Sequence, residues 1–172
     1  MAAKTGTYTL IASTTIGSTG SSLTFSSIPQ TYTDLVIVSN ALRGISGSGG
    51  DLVRLQFNGD TSSNYSWTQG YGNGSSAVSN NSTNQTQAFA GAAADATGTS
   101  NWCPNICHIL DYANTTTYKS ALARVNQNGS YTGIVINLWR STAAINSIYL
   151  TATNGFTAGS TFKLYGIEAG NV

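Results

Sequence analysis

From Asp51 to Asn58 the chain alternates: Val53, Leu55 and Phe57 are apolar, and Arg54 and Gln56 between them are polar. Successive side chains of a strand point to opposite faces, so this pattern sends the first three toward a core and the other two toward solvent. Alternation of this kind recurs in short runs, and no apolar pattern at helical spacing persists for three turns. It predicts strands at Tyr8 to Ser13, Ser22 to Phe25, Asp34 to Leu42, Asp51 to Asn58, Tyr65 to Tyr71, Ile106 to Tyr112, Lys119 to Asn126, Gly133 to Arg140, Ser147 to Thr153 and Thr161 to Ile167. Turn chemistry separates them at Ile28-Pro29-Gln30, Gly47 to Gly50, Asn58-Gly59-Asp60, Asn128-Gly129-Ser130 and Asn154-Gly155, where Gly and Asn take positive φ at little cost. Many short strands with such turns predict an all-β fold, a two-sheet antiparallel sandwich of jelly-roll type.

Two segments depart from the alternation. Leu35-Val36-Ile37-Val38 and Ile134-Val135-Ile136 are continuous apolar runs, the pattern of strands covered on both faces. One cover is the facing sheet; the other is expected to be a neighbouring subunit, which predicts an oligomer. The stretch 70–99, GYGNGSSAVSNNSTNQTQAFAGAAADATGT, is low in complexity and reads as a long loop, a length that in a compact domain is usually functional or disordered: a variable surface excursion first, and second an arm that contacts a neighbour or a host surface. Residues 1–7 read as a short N-terminal arm, and 1–172 as one domain.

Composition narrows the class of partner. Charged residues are 8% of the 172 residues, the formal net charge is +1, and 40% of the chain is apolar. Disorder combines low hydrophobicity with high net charge, so this chain should fold. Seven Lys and Arg set against six acids make no basic footprint for nucleic acid. No apolar run approaches the ~20 residues of a spanning helix, and MAAKTGTYTL lacks the apolar core of a signal peptide; synthesis in a cytoplasm without signal-peptide export is expected. A neutral surface of hydroxyl and amide groups is poorly protected against association and suits a subunit that packs against neighbours.

Groups for catalysis are sparse. His108 is the single histidine and falls in a strand opposite Cys107 and Ile109, where a structural hydrogen bond is the expected role; no Gly-x-Ser-x-Gly elbow appears. Cys103 and Cys107, with one adjacent His, do not make a four-ligand zinc set. On one extended strand their Cα atoms stand about 13 Å apart against the ~5.5 Å of a disulfide, so two thiols are expected. A glycosidase needs two carboxylates about 5 to 9 Å apart across a cleft; Asp34, Asp51 and Asp60 instead sit at strand starts and a turn, where capping amides is their expected role. The expectation is a protein without enzymatic activity, cofactor or metal. Tyr8, Trp67, Tyr71, Phe89, Trp102 and Tyr131 are the candidate contact residues. Of these Trp67, Tyr71, Trp102 and Tyr131, on or near loops, could form a sugar-stacking platform, although aromatics in a sandwich more often serve core or interface. Trp139 reads as core or interface. The Asn-x-Ser/Thr triplets at Asn64, Asn81, Asn114 and Asn128 follow from composition.

The segments SSIPQTYTDLVIVSNALRG (Ser26 to Gly44) and RLQFNGDTSSNYSW (Arg54 to Trp67), with LWRSTAAINSIYL and STFKLYGIEAG between Leu138 and Gly170, resemble a β-sandwich module of tailed-bacteriophage virions, marine and cyanobacterial phages especially. The module occurs as a small structural protein or attached to tail fibres. The resemblance spans most of the chain apart from about Gly70 to Thr99. It implies a virion protein, often trimeric, whose partners are further copies of itself and the major capsid protein or other virion proteins. A start a few residues before the first strand and the lack of a long shaft favour a capsid decoration or cement protein. The alternatives are a tail-fibre tip or baseplate component that recognises host glycans and, from the enzyme class, a polysaccharide depolymerase. Neither nucleic acid nor membrane is an expected partner.

Overall fold

The computed structural model describes residues 7–44, 51–94, 102–127 and 130–168. These form twelve strands: β1 (Tyr8–Thr15), β2 (Leu23–Phe25), β3 (Asp34–Ala41), β4 (Asp51–Phe57), β5 (Tyr65–Gly72), β6 (Ala77–Gln85), β7 (Ala88–Ala93), β8 (Cys103–Leu110), β9 (Lys119–Gln127), β10 (Tyr131–Trp139), β11 (Ile148–Thr151) and β12 (Thr161–Ile167). They build an antiparallel sheet of order β1-β12-β3-β8-β9-β10-β5-β6, and a smaller one of order β2-β11-β4-β7 packed on its inner face. The pairs β3·β8, β4·β7 and β5·β6 are nested, as when a long hairpin is rolled across a sandwich, the jelly-roll manner of wrapping. The all-β two-sheet reading is thus the observed fold.

Alternation fixes the inner face. Val53, Leu55 and Phe57 are buried with Leu35, Ile37, Ile109, Val135, Leu150, Phe162 and Leu164 in one core, while Arg54 and Gln56 are not. Trp139 belongs to that core: its ring is 5.3 Å from Phe57 and stacks on Tyr65 at 6.3 Å. Its indole Nε1–H donates to Asp60 at 2.7 Å. The turn beneath begins with Asn58 and Gly59 at φ 53° and 69°, and closes with Asp60 N–H donating to Phe57 O at 2.9 Å.

The stretch 70–99 is not the expected loop. Residues 77–85 and 88–93 are β6 and β7; the signal failed because β6 is polar and exposed along almost its whole length, while β7 is made of small residues. Residues 95–99, the turn signals at Gly47 to Gly50 and Asn128-Gly129, and Met1 to Gly6 of the expected arm lie outside the described residues. Thr7, the arm's last residue, accepts a main-chain bond from Glu168 at 3.4 Å.

β7 is an edge strand of the small sheet, and side chains of the large sheet satisfy its outer edge. Asn105 on β8 accepts from Ala92 N–H and donates to Ala92 O, both at 2.9 Å. Asn137 on β10 does the same for Phe89, at 3.0 and 2.9 Å. Ala94 N–H donates to Cys103 Sγ at 3.2 Å. Gly91 makes room for the first clamp: a Cβ there would lie 2.5 Å from Asn105 Cγ.

Two outcomes follow for stability. Asn105→Ala strands a buried N–H and C=O on β7, each costly without a partner, so the unfolding free energy should drop by about 2–4 kcal/mol, read by urea denaturation; an unchanged midpoint would show that the clamp contributes nothing. Burial opposes ionisation of Asp60, but the bonds from Asn64, Trp139 and Ser62 outweigh it and hold the carboxyl below its ordinary value. Its folded pKa being the lower one, its contribution is present above the unfolded pKa and lost as pH falls through the folded one. Asp60→Asn should therefore flatten the acid limb of a stability-versus-pH curve as pH falls below the ordinary carboxylate value; an identical limb in both proteins would refute this.

Candidate functional site

The expected contact residues divide into separate places. Tyr8 is on β1 at the outer edge of the large sheet, 58% exposed, edge-on to Tyr165 at 6.3 Å. Trp67 meets Phe89 edge-on at 5.3 Å, and Tyr71 meets Tyr131 at 4.8 Å. These two ring pairs share the inner side of the large sheet, on the flank where β6 is exposed on both faces. All four rings are only partly exposed, with Trp67, Phe89 and Tyr131 packed on the core. Trp102 lies elsewhere, against Leu42, Ala94 and Cys103. A single platform containing Trp67, Tyr71, Trp102 and Tyr131 therefore does not form: Trp102 is held in its own cluster, and the remaining rings satisfy much of their apolar area against each other.

The polar candidates have structural partners. His108 Nε2 is 3.0 Å from Asp34 Oδ2 across β3 and β8, and the other oxygen of Asp34 accepts from Asp111 N–H at 2.7 Å. Asp51 accepts from Leu52 N–H at 2.8 Å and pairs with Arg54 at 3.0 Å. Asp60 accepts from Ser62 N–H at 2.8 Å. Asn114 organises a turn by accepting from Thr116 and Thr117 N–H at 2.6 and 2.9 Å. Lys119, buried on the inner face, donates to Thr117 O and Thr142 O at 2.8 and 3.3 Å; burial lowers its pKa against the opposing pull of Asp111. Among the described residues no three His, Cys, Asp or Glu gather in a way that could hold a metal ion.

A different surface stands out. The inner members of the apolar runs are buried as expected, but the outer ones are not all covered. On the outer face of the large sheet Val38, Leu110, Leu122, Ile134, Ile136 and Leu138 are each between 36 and 51% exposed. Leu122 is registered opposite Ile136 and His108, and Arg124 opposite Ile134 and Ile106, so these side chains form adjacent rows across β8, β9 and β10. Exposed apolar side chains in contiguous rows, on the order of 500 Å² in all, mark a contact surface more often than chance does. The continuous run at Ile134 to Ile136 carried this signal in the sequence; Leu122 and Leu138 each sit in ordinary alternation, and only the register joins them to it.

Cys103 and Cys107 are both buried on the inner face of β8, and neither is in a disulfide. Burial alone pushes the Cys107 thiol up to about 12. The native protein should react with neither equivalent of a thiol reagent at pH 8, and with two after denaturation; a fast native equivalent would contradict the burial.

Comparison with known proteins finds no family model that matches the chain, no matching curated protein and no matching solved structure.

Proposed function

We propose that this chain is a virion structural protein of a tailed bacteriophage, a capsid decoration or cement protein that works by adhesion. The observation that carries the reading is the outer face of the large sheet, where aliphatic side chains stand open on an antiparallel sheet whose other face builds the core along β3, β8, β9, β10 and β12. Such a face is suited to shallow, broad contact with neighbouring protein. Holding shell subunits together against the pressure of packaged DNA requires many such contacts and no bond-making chemistry. The low charge of the chain supports the same use, since little desolvation of ions opposes the contact. The sequence resemblance supplies the phage setting.

A second reading has one observation of its own. The Trp67–Phe89 and Tyr71–Tyr131 pairs gather four rings on one flank, and partly exposed rings can stack on sugar faces. On that reading the chain is a tail component that recognises host glycans, and Tyr71→Ala should abolish binding to host envelope polysaccharide while leaving the fold intact.

Counting copies of the chain per purified particle against the major capsid protein separates the two. A fixed simple ratio to the capsid subunit, in the hundreds per particle, is the expected result. A count of a few to a few dozen would overturn the decoration role and assign the chain to the tail.

A further inference from the structure

The outer face of the large sheet has two unlike halves lying side by side. On β9 and β10, Leu122, Ile134, Ile136 and Leu138 form a ridge. On β5 and β6 the registered neighbours are small or short: Ile136 is opposite Thr68 and then Asn81, and Ile134 is opposite Gly70 and then Ser79. Gly70, Gly72 and Ala77 line a shallow, open trough of about 540 Å³, bordered by Thr132 and Ile134 on one side and Ser79 on the other. A Cβ placed at Gly70 would meet nothing within 4 Å, so the floor of the trough is empty space above a strand.

We propose that a second copy of this chain occupies this surface, with the aliphatic ridge of each copy seated in the glycine-floored trough of the other about a two-fold axis along the β10–β5 boundary. The inference rests on the reading of this face as a packing surface. Three features select a second copy as the occupant. The ridge and the trough are immediate neighbours on one face, so a two-fold contact matches them twice, as an isologous interface requires. Aligned packing of the two sheets sets β10 over the partner's β5 and β9 over its β6, which brings Ile134 above the partner's Gly70 and Ile136 above its Thr68. No like charge opposes it: from Thr61 to Ala94 there is no charged residue, so Arg124, the cation within the ridge, faces the hydroxyl of Ser79 and the amide oxygen of Asn81, which can accept its hydrogen bonds.

The area is adequate. Four strands about 4.8 Å apart and nine residues of about 3.3 Å each give a face of roughly 600 Å² per copy, close to the ~800 Å² per partner of a standard interface. The contact uses only half of the outer face. Val38 on β3 and Leu110 on β8, with Tyr8 and Leu10 on β1, lie outside it and remain available to another virion protein. This two-fold arrangement differs from the three-fold assembly that the sequence resemblance implies.

Light scattering coupled to size exclusion, on the purified full chain across a concentration series, tests it. The wild type should run as a dimer at micromolar concentration. Gly70→Val fills the trough at a position with room for the side chain, and Ile136→Ser removes an exposed part of the ridge; each should keep the far-UV spectrum and thermal midpoint of the wild type while weakening the dimer at least tenfold. A monomer at all concentrations, a trimer, or a dimer untouched by both substitutions would overturn the proposal. A monomeric chain still found at hundreds of copies per particle would sink the dimer and leave the decoration role standing.

Discussion

Everything in this sandwich depends on how the edge of the small sheet is closed. An edge strand that packs against another sheet must bury main-chain groups that have no strand beside them, and unpaired groups of that kind are expensive. Here β7 solves the problem sideways: the amides of Asn105 and Asn137 give Ala92 and Phe89 the same paired donor and acceptor that an adjacent strand would. Asn105 can reach only because β7 has glycine at position 91, where a Cβ would collide with its side chain. The small residues, the buried asparagines and the seating of one sheet on the other are therefore one device, and loosening any part of it exposes the rest.

This device also explains what could be read in the sequence and what could not. Strands such as β4 and β12 were legible because each has one buried and one open face, which is the condition for period-two alternation. β7 is mostly alanine and buried at every position but Phe89, so it shows no alternation; β6 is solvated on both sides, with Ala77 and Val78 its only apolar residues. Trp67 and Tyr71, four residues apart on a strand, were readable as sharing a face, whereas their partners Phe89 and Tyr131 come from other strands and could be joined to them only by the tertiary fold. The polar side chains followed simpler rules in part: Asp51 and Asp60 cap local amides where a strand starts and a turn closes, whereas Asp34 caps Asp111 across the sheet.

The two faces of the large sheet show how composition is spent. The inner face takes the aromatic and branched residues and the few obligatory polar clamps. The outer face keeps aliphatic side chains in rows interrupted by Arg124, His108 and Lys163. Neutrality and exposed aliphatics thus go together on this sheet, because most of the few charged residues lie elsewhere in the chain.

The pairing of β1 with β12 joins Tyr8 to Ile167, and β2 likewise waits for β11. Neither β1 nor β2 has a partner among the strands that follow it soon in the chain, so the growing polypeptide cannot complete either sheet from its N-terminal half as it leaves the ribosome. Most contacts are distant in sequence, which makes folding slow, and the unpaired early strands stay open to wrong partners until synthesis has passed residue 167. Closure of both sheets therefore waits on the C-terminal strands, and the interval between translation and closure is when β1 and β2 are exposed to wrong partners.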